Sequence, residues 1–92
     1  MSDTTDVPNF DNMDATDLRA WWQCHHGRSR QLGRSLFNAE PNRTWIAGML
    51  IDYALNKLTA MEWRLKGKVA LAIRYEATCD RLYQRLPECA RW

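Results

Sequence analysis

Helix breakers are scarce in this chain: its 92 residues include three prolines and four glycines. No alternating apolar–polar run and no Asn-Gly pair occurs, so nothing marks a β-strand or a hairpin turn. No apolar stretch approaches the ~20 residues of a membrane span. The opening "MSDTTDVPNFDNMD" lacks the basic and apolar regions of a signal peptide. Three cysteines at loose spacing form no disulfide framework. These absences together point to a cytoplasmic location. Basic residues are missing from residues 1–18, which hold five aspartates and carry −5. Residues 19–92 hold all thirteen Lys and Arg residues against six acids, a net +7. The body is therefore basic, which suits an anionic partner or serves solubility.

The chain length allows one domain. Residues 1–13 are polar, hold Pro8 and show no core pattern, so they read as a disordered acidic leader. Phe10 is the residue there suited to pack on the body. Residues 14–92 read as a single helical domain. A first helix is expected from Asp14 or Thr16 to about His26, with Leu18, Trp21, Trp22 and His25 on one side and Gly27 as its stop. A second runs from Ser29 to about Asn38, with Leu32 and Leu36 buried and Gly33 open to a close neighbour. A third runs from Asn42 to Leu65. Its seam is Ile46, Leu50, Ala54, Leu58, Met61 and Leu65, widened by Trp45, Met49 and Tyr53. Glu62 and Lys66 stand at i,i+4, the spacing of an ion pair. A fourth runs from Lys68 to Leu86 and stops at Pro87, with Ala72, Tyr75, Cys79, Leu82 and Leu86 as its seam. Gly67 between them folds helices three and four into an antiparallel hairpin. The fold class is thus all-α: about four helices, two short ones packed on a long helical hairpin. A helix of about 22 residues is ~33 Å long, more than the two short helices can cover. Apolar surface on the hairpin is left for a partner or a second copy.

The stretch "WWQCHHGRSRQLGR" raises a metal site first. Adjacent residues on a helix project about 100° apart, so Cys24, His25 and His26 cannot close on one ion. Zinc ligands use spacings such as C-x2-C or H-x3-H, and neither occurs. No metal and no cofactor is expected. Catalysis is equally poorly supported. Cys24 and His25 are sequence neighbours and do not form a dyad. There is no glycine-rich phosphate loop, no nucleophile elbow and no paired carboxylate in an apolar setting. Glu76 and Asp80 read as solvent-facing. A non-enzymatic protein is expected.

Arginines are more telling. Arg28, Arg30, Arg34 and Arg43 fall within sixteen residues. The run "LGRSLFNAEPNRTWIAG" resembles the phage-repressor type of helix-turn-helix, through Leu32, the small Gly33, Leu36 and the later Trp45. It differs where Phe37 and Asn38 occupy the usual glycine turn, and where Arg43 or Thr44 takes a hydrophobic position. The resemblance implies that Asn42, Arg43 and Thr44 enter the major groove of duplex DNA while Arg30 and Arg34 hold phosphates. A solvated basic face is the alternative. The hairpin run "LKGKVALAIRYEATCDRLYQRLP" resembles one tetratricopeptide-type helix pair. The wider repeat spacing is absent, so shared packing physics explains the likeness. Trp63 and Trp92 lie off the seam, as interface anchors or as lids on the body.

Two functions follow as expectations. In the first, the chain is a small helical binding protein (an adaptor, inhibitor or accessory subunit). It docks on another protein through the hairpin and its aromatics. In the second, it is a small basic DNA-binding regulator with a degenerate helix-turn-helix in residues 29–57. A homodimer through helices three and four is compatible with either. A membrane partner is not expected.

Overall fold

Asp14 opens the first helix. Its side chain accepts a hydrogen bond from the Asp17 amide at 2.8 Å, satisfying one amide that the helix itself leaves without a partner. Helix α1 runs Ala15–His25. It ends where Gly27 turns with φ +74°, a left-handed conformation that glycine adopts without a steric penalty. The computed structural model describes residues 7–37 and 44–92. Within them follow α2 over Ser29–Phe37, α3 over Thr44–Leu65 and α4 over Val69–Arg85. No strand occurs among the described residues. The expected end of the second helix at Asn38 and start of the third at Asn42 lie outside the described residues.

α3 is the common neighbour: α1, α2 and α4 each pack on it. Its inner face buries Ile46, Leu50, Ala54 and Leu58 as the seam requires, with Tyr53 beside them. α4 buries Ala72 and Cys79 against it, and Leu86 follows at the cap. The turn between α3 and α4 holds Gly67 at φ +77°. On α2, Leu32, Gly33, Leu36 and Phe37 are buried. A Cβ built on Gly33 would meet the Thr44 Cα at 3.6 Å and the Ala47 Cβ at 3.9 Å, so α2 approaches α3 closely there.

The ordered body begins before Asp14. Residues Phe10–Asn12 form a 3-10 turn capped by the Asn9 side chain, and Phe10 is fully buried. Its ring meets Trp21 at 4.9 Å, Trp92 at 5.0 Å and Tyr53 at 5.6 Å between centroids. The expected leader therefore divides. Residues 7–13 belong to the helical body, and residues 1–6 lie outside the described part. An aromatic side chain gains its full burial energy once such a cage is available, and composition alone does not reveal the cage.

The long helices depart from the expected seam at their ends. Leu65 is 84% exposed and Trp45 is 54% exposed. Leu65 is the last residue of α3, and Trp45 stands outside the buried line even though Ile46 and Ala47 next to it are covered. Glu62 does not pair with Lys66. It accepts instead from Arg19 of α1 at 2.9 Å, while Lys66 sits over the Trp63 ring at 5.2 Å. Glu76 is not simply solvated: it receives two hydrogen bonds from Arg64, at 2.6 and 2.8 Å.

Candidate functional site

The basic face is built by α2 and the turn before it. Arg28, Arg30 and Arg34 are all exposed, because Leu32 and Leu36 turn the opposite side of α2 toward α3. No acid among the described residues pairs with these three arginines. Thr44 begins α3 and is half-buried against Gly33. Asn42 and Arg43 lie outside the described residues. The structure thus places Arg30 and Arg34 on α2 and Arg28 in the turn before it, and sets Thr44 at a helix–helix contact.

The adjoining histidines are engaged with tryptophans one turn earlier. His25 lies 4.5 Å from Trp21, and His26 stacks on Trp22 at 4.3 Å with planes 11° apart. Partial burial, and then the charge of Arg28, hold the His25 imidazole below its ordinary pKa. Among the described residues, no group of three or more His, Cys, Asp or Glu converges as ion ligands would.

The two tryptophans picked out as anchors are placed differently. Trp63 is half-buried near the hairpin end, with Lys66 over its ring. Trp92 closes the aromatic cage, with Tyr53 and Tyr83 each at 4.7 Å. Its Nε1 donates to Asp11 Oδ2 at 3.0 Å, and its carbonyl accepts from the Tyr83 hydroxyl at 2.7 Å. Trp92 is thus a half-buried lid on the body, its ring in edge contacts with Phe10, Tyr53 and Tyr83.

A surface groove of about 560 Å³ runs between α3 and α4. Two ion pairs line it, Lys57 with Asp11 at 3.1 Å and Arg64 with Glu76, and Asp80 lines it as well. Burial pushes the Cys79 thiol up to about 11, so it is protonated at neutral pH and a weak nucleophile. Asp11 shows the opposing effects. Burial alone would raise its carboxyl, but hydrogen bonds from Trp92, Lys57 and Tyr53, with the Lys57 charge, hold it below the usual range. No disulfide joins the three cysteines.

Uncovered apolar surface, expected on the hairpin, lies at its turn end, on residues that the sequence did not single out as exposed. Leu65 is joined there by Val69 and Ile73, 47% and 53% exposed. Val69 and Ile73 are one turn apart on α4, outside the buried line of Ala72 and Cys79. Seam spacing alone did not disclose this second apolar line, because the signal lies in which residues remain uncovered.

Fold and surface define a small all-helical protein with a basic face at one helix and an uncovered apolar hairpin end. No helix among the described residues is long and apolar enough to cross a membrane. No known protein family, no curated protein and no solved structure matches the chain.

Proposed function

We propose that this chain is a non-enzymatic helical binding protein, an adaptor, inhibitor or accessory subunit, that docks on another protein through its hairpin. The observation that carries the reading is the exposure of Leu65, Val69 and Ile73 together at one end. Grouped exposed aliphatics signal an interaction surface more than scattered ones do. Trp63 borders this end and serves as its aromatic contact. Trp92 contributes by holding the body together. A cytoplasmic site of action fits three cysteines at loose spacing, which make no disulfide framework.

The reading is tested by placing a photo-crosslinking amino acid at Ile73 of the full chain in its native cells. Capture of one protein, lost on Leu65→Asp or Val69→Asp, is the expected result. Absence of any capture would remove the reading.

The DNA-binding alternative draws on the exposed Arg28, Arg30 and Arg34, with no acid partner among the described residues. Duplex affinity then falls steeply with salt, and Arg30→Ala or Arg34→Ala each flattens that dependence by about one counterion. Arg43→Ala instead costs about 1–3 kcal/mol on a preferred site. A chain that ignores duplex DNA at low salt is no DNA-binding regulator.

A further inference from the structure

We propose that the outer face of α4, continued past the Gly67 turn by Leu65, seats an amphipathic helix of a partner protein with acidic residues beside its apolar stripe. This rests on the protein-binding reading above and specifies the chemistry of the partner.

α1, α2 and α4 each keep an open side, and of the three α4 is the one that leaves large aliphatics exposed on it, Val69 and Ile73. α1 and α2 pack on α3, and α4 has α3 as its main neighbour. Away from that contact, Val69 and Ile73 stand at i and i+4, with Ala77 completing the next turn. Ala70 is exposed beside them and Ala77 is half-buried. A line of two branched residues flanked by alanines is a helix-packing surface: the large side chains form a ridge, and the small ones let a second backbone approach. An amphipathic helix laid against such a line is a recurrent mode of recognition, read as anchors at helical spacing.

Charge selects among occupants. Residues 63–75 contain Arg64, Lys66, Lys68 and Arg74 and no acid. Arg64 is neutralised by Glu76. Lys66, Lys68 and Arg74 form no ion pair among the described residues. A second copy of this chain would bring the same cations against one another across a symmetric interface, so it is disfavoured. An anionic lipid surface requires clusters of about four to eight basic residues for stable adsorption, more than remain unpaired here. An acidic helix meets both demands: its apolar stripe covers Val69, Ile73 and Leu65, and its carboxylates face the flanking cations.

The probe is a synthetic amphipathic peptide of about 18 residues, five helical turns, with leucines at helical spacing and glutamates on the flanks. A control peptide replaces every glutamate with lysine. Binding to the full chain is followed by nuclear magnetic resonance. The expected result is saturable shifts at Leu65, Val69, Ile73 and Ala77 with the glutamate peptide only, weakening as salt rises from about 0.05 M to about 0.5 M. Ile73→Asp should weaken binding by at least about tenfold while circular dichroism stays unchanged. The double variant Lys68→Glu with Arg74→Glu should transfer the preference to the lysine peptide, a readout that misfolding cannot mimic. Equal binding of both peptides, shifts centred on α2, or no shifts would overturn the proposal. So would stronger binding to phosphatidylserine vesicles, which would favour a membrane surface. If the peptides fail while crosslinking at Ile73 still captures a protein, the acidic-helix proposal falls and the protein-binding reading stands.

Discussion

The Trp92 indole donates from Nε1 to Asp11 Oδ2 at 3.0 Å, across 81 positions of the chain. The same carboxylate accepts from the Tyr53 hydroxyl at 3.1 Å and pairs with Lys57. One aspartate thereby ties the N-terminal turn, α3 and the last residue together. Trp92→Ala should lower unfolding free energy by about 2 kcal/mol in a urea titration. That is less than the ~3–5 kcal/mol of a fully buried tryptophan, since this ring is only half-buried. A double-mutant cycle with Asp11→Ala should show a coupling of about 0.5–1.5 kcal/mol. Unchanged stability would return Trp92 to the pool of free surface anchors.

Phe10 is a sharper case. Its ring is wholly buried among Trp21, Tyr53 and Trp92. Phe10→Ala should cost about 3–5 kcal/mol, and deletion of residues 1–13 at least as much. Calorimetry of that deletion tests it: a preserved melting temperature would show the turn to be ornamental.

His25 makes the fold sensitive to mild acid. Partial burial first, then Arg28, depress its pKa in the folded state, so the unfolded chain binds the proton more readily. Stability should therefore be full above about pH 6.5, the unfolded value. It should fall as pH drops from there through the lower folded value. Urea midpoints at pH 7.5 and about 5.5 should differ, and His25→Gln should narrow the difference. An equal difference in the variant would place the sensitivity elsewhere.

Two glycines should respond to alanine with opposite signs. A Cβ at Gly48 meets nothing within 4 Å in the second turn of α3. Gly48→Ala should raise stability by about 0.5–1 kcal/mol through helix propensity. Gly67 also has open space, but its φ is +77°. Gly67→Ala should cost about 1 kcal/mol through backbone strain. Melting temperatures of the pair separate conformation from packing.

The helices were legible from sequence because their signals are local. Asp14 caps, Gly27 and Gly67 turn, and the three–four spacing of Ile46, Leu50, Ala54 and Leu58 marks a buried face whatever covers it. Their tertiary partners were less legible. Leu65 fits the seam of α3 as well as Leu58 does, yet only one has a neighbour over it. Phe10 sits in a polar stretch whose composition reads as disorder, and its cage comes from Trp21, Tyr53 and Trp92, far apart in the chain. Glu62 had a local candidate in Lys66 and took Arg19 from another helix instead. For the candidate site, the exposure of Arg28, Arg30 and Arg34 followed from the buried face of α2. The apolar line of Leu65, Val69 and Ile73 depended on which side of α4 the other helices leave bare.

α4 is fastened unevenly. Near Arg85 it is backed by Tyr83, whose hydroxyl holds the Trp92 carbonyl within the aromatic cage. Near Val69 it has its contact with α3 and the exposed Arg64–Glu76 pair, and exposed ion pairs add little. Local opening should thus begin at the turn and travel toward the cage, so amide hydrogens early in α4 exchange with solvent sooner than those near its end. The half of the hairpin that carries the uncovered aliphatics is then expected to open first and to adjust its pitch to whatever settles there before the rest of the protein responds.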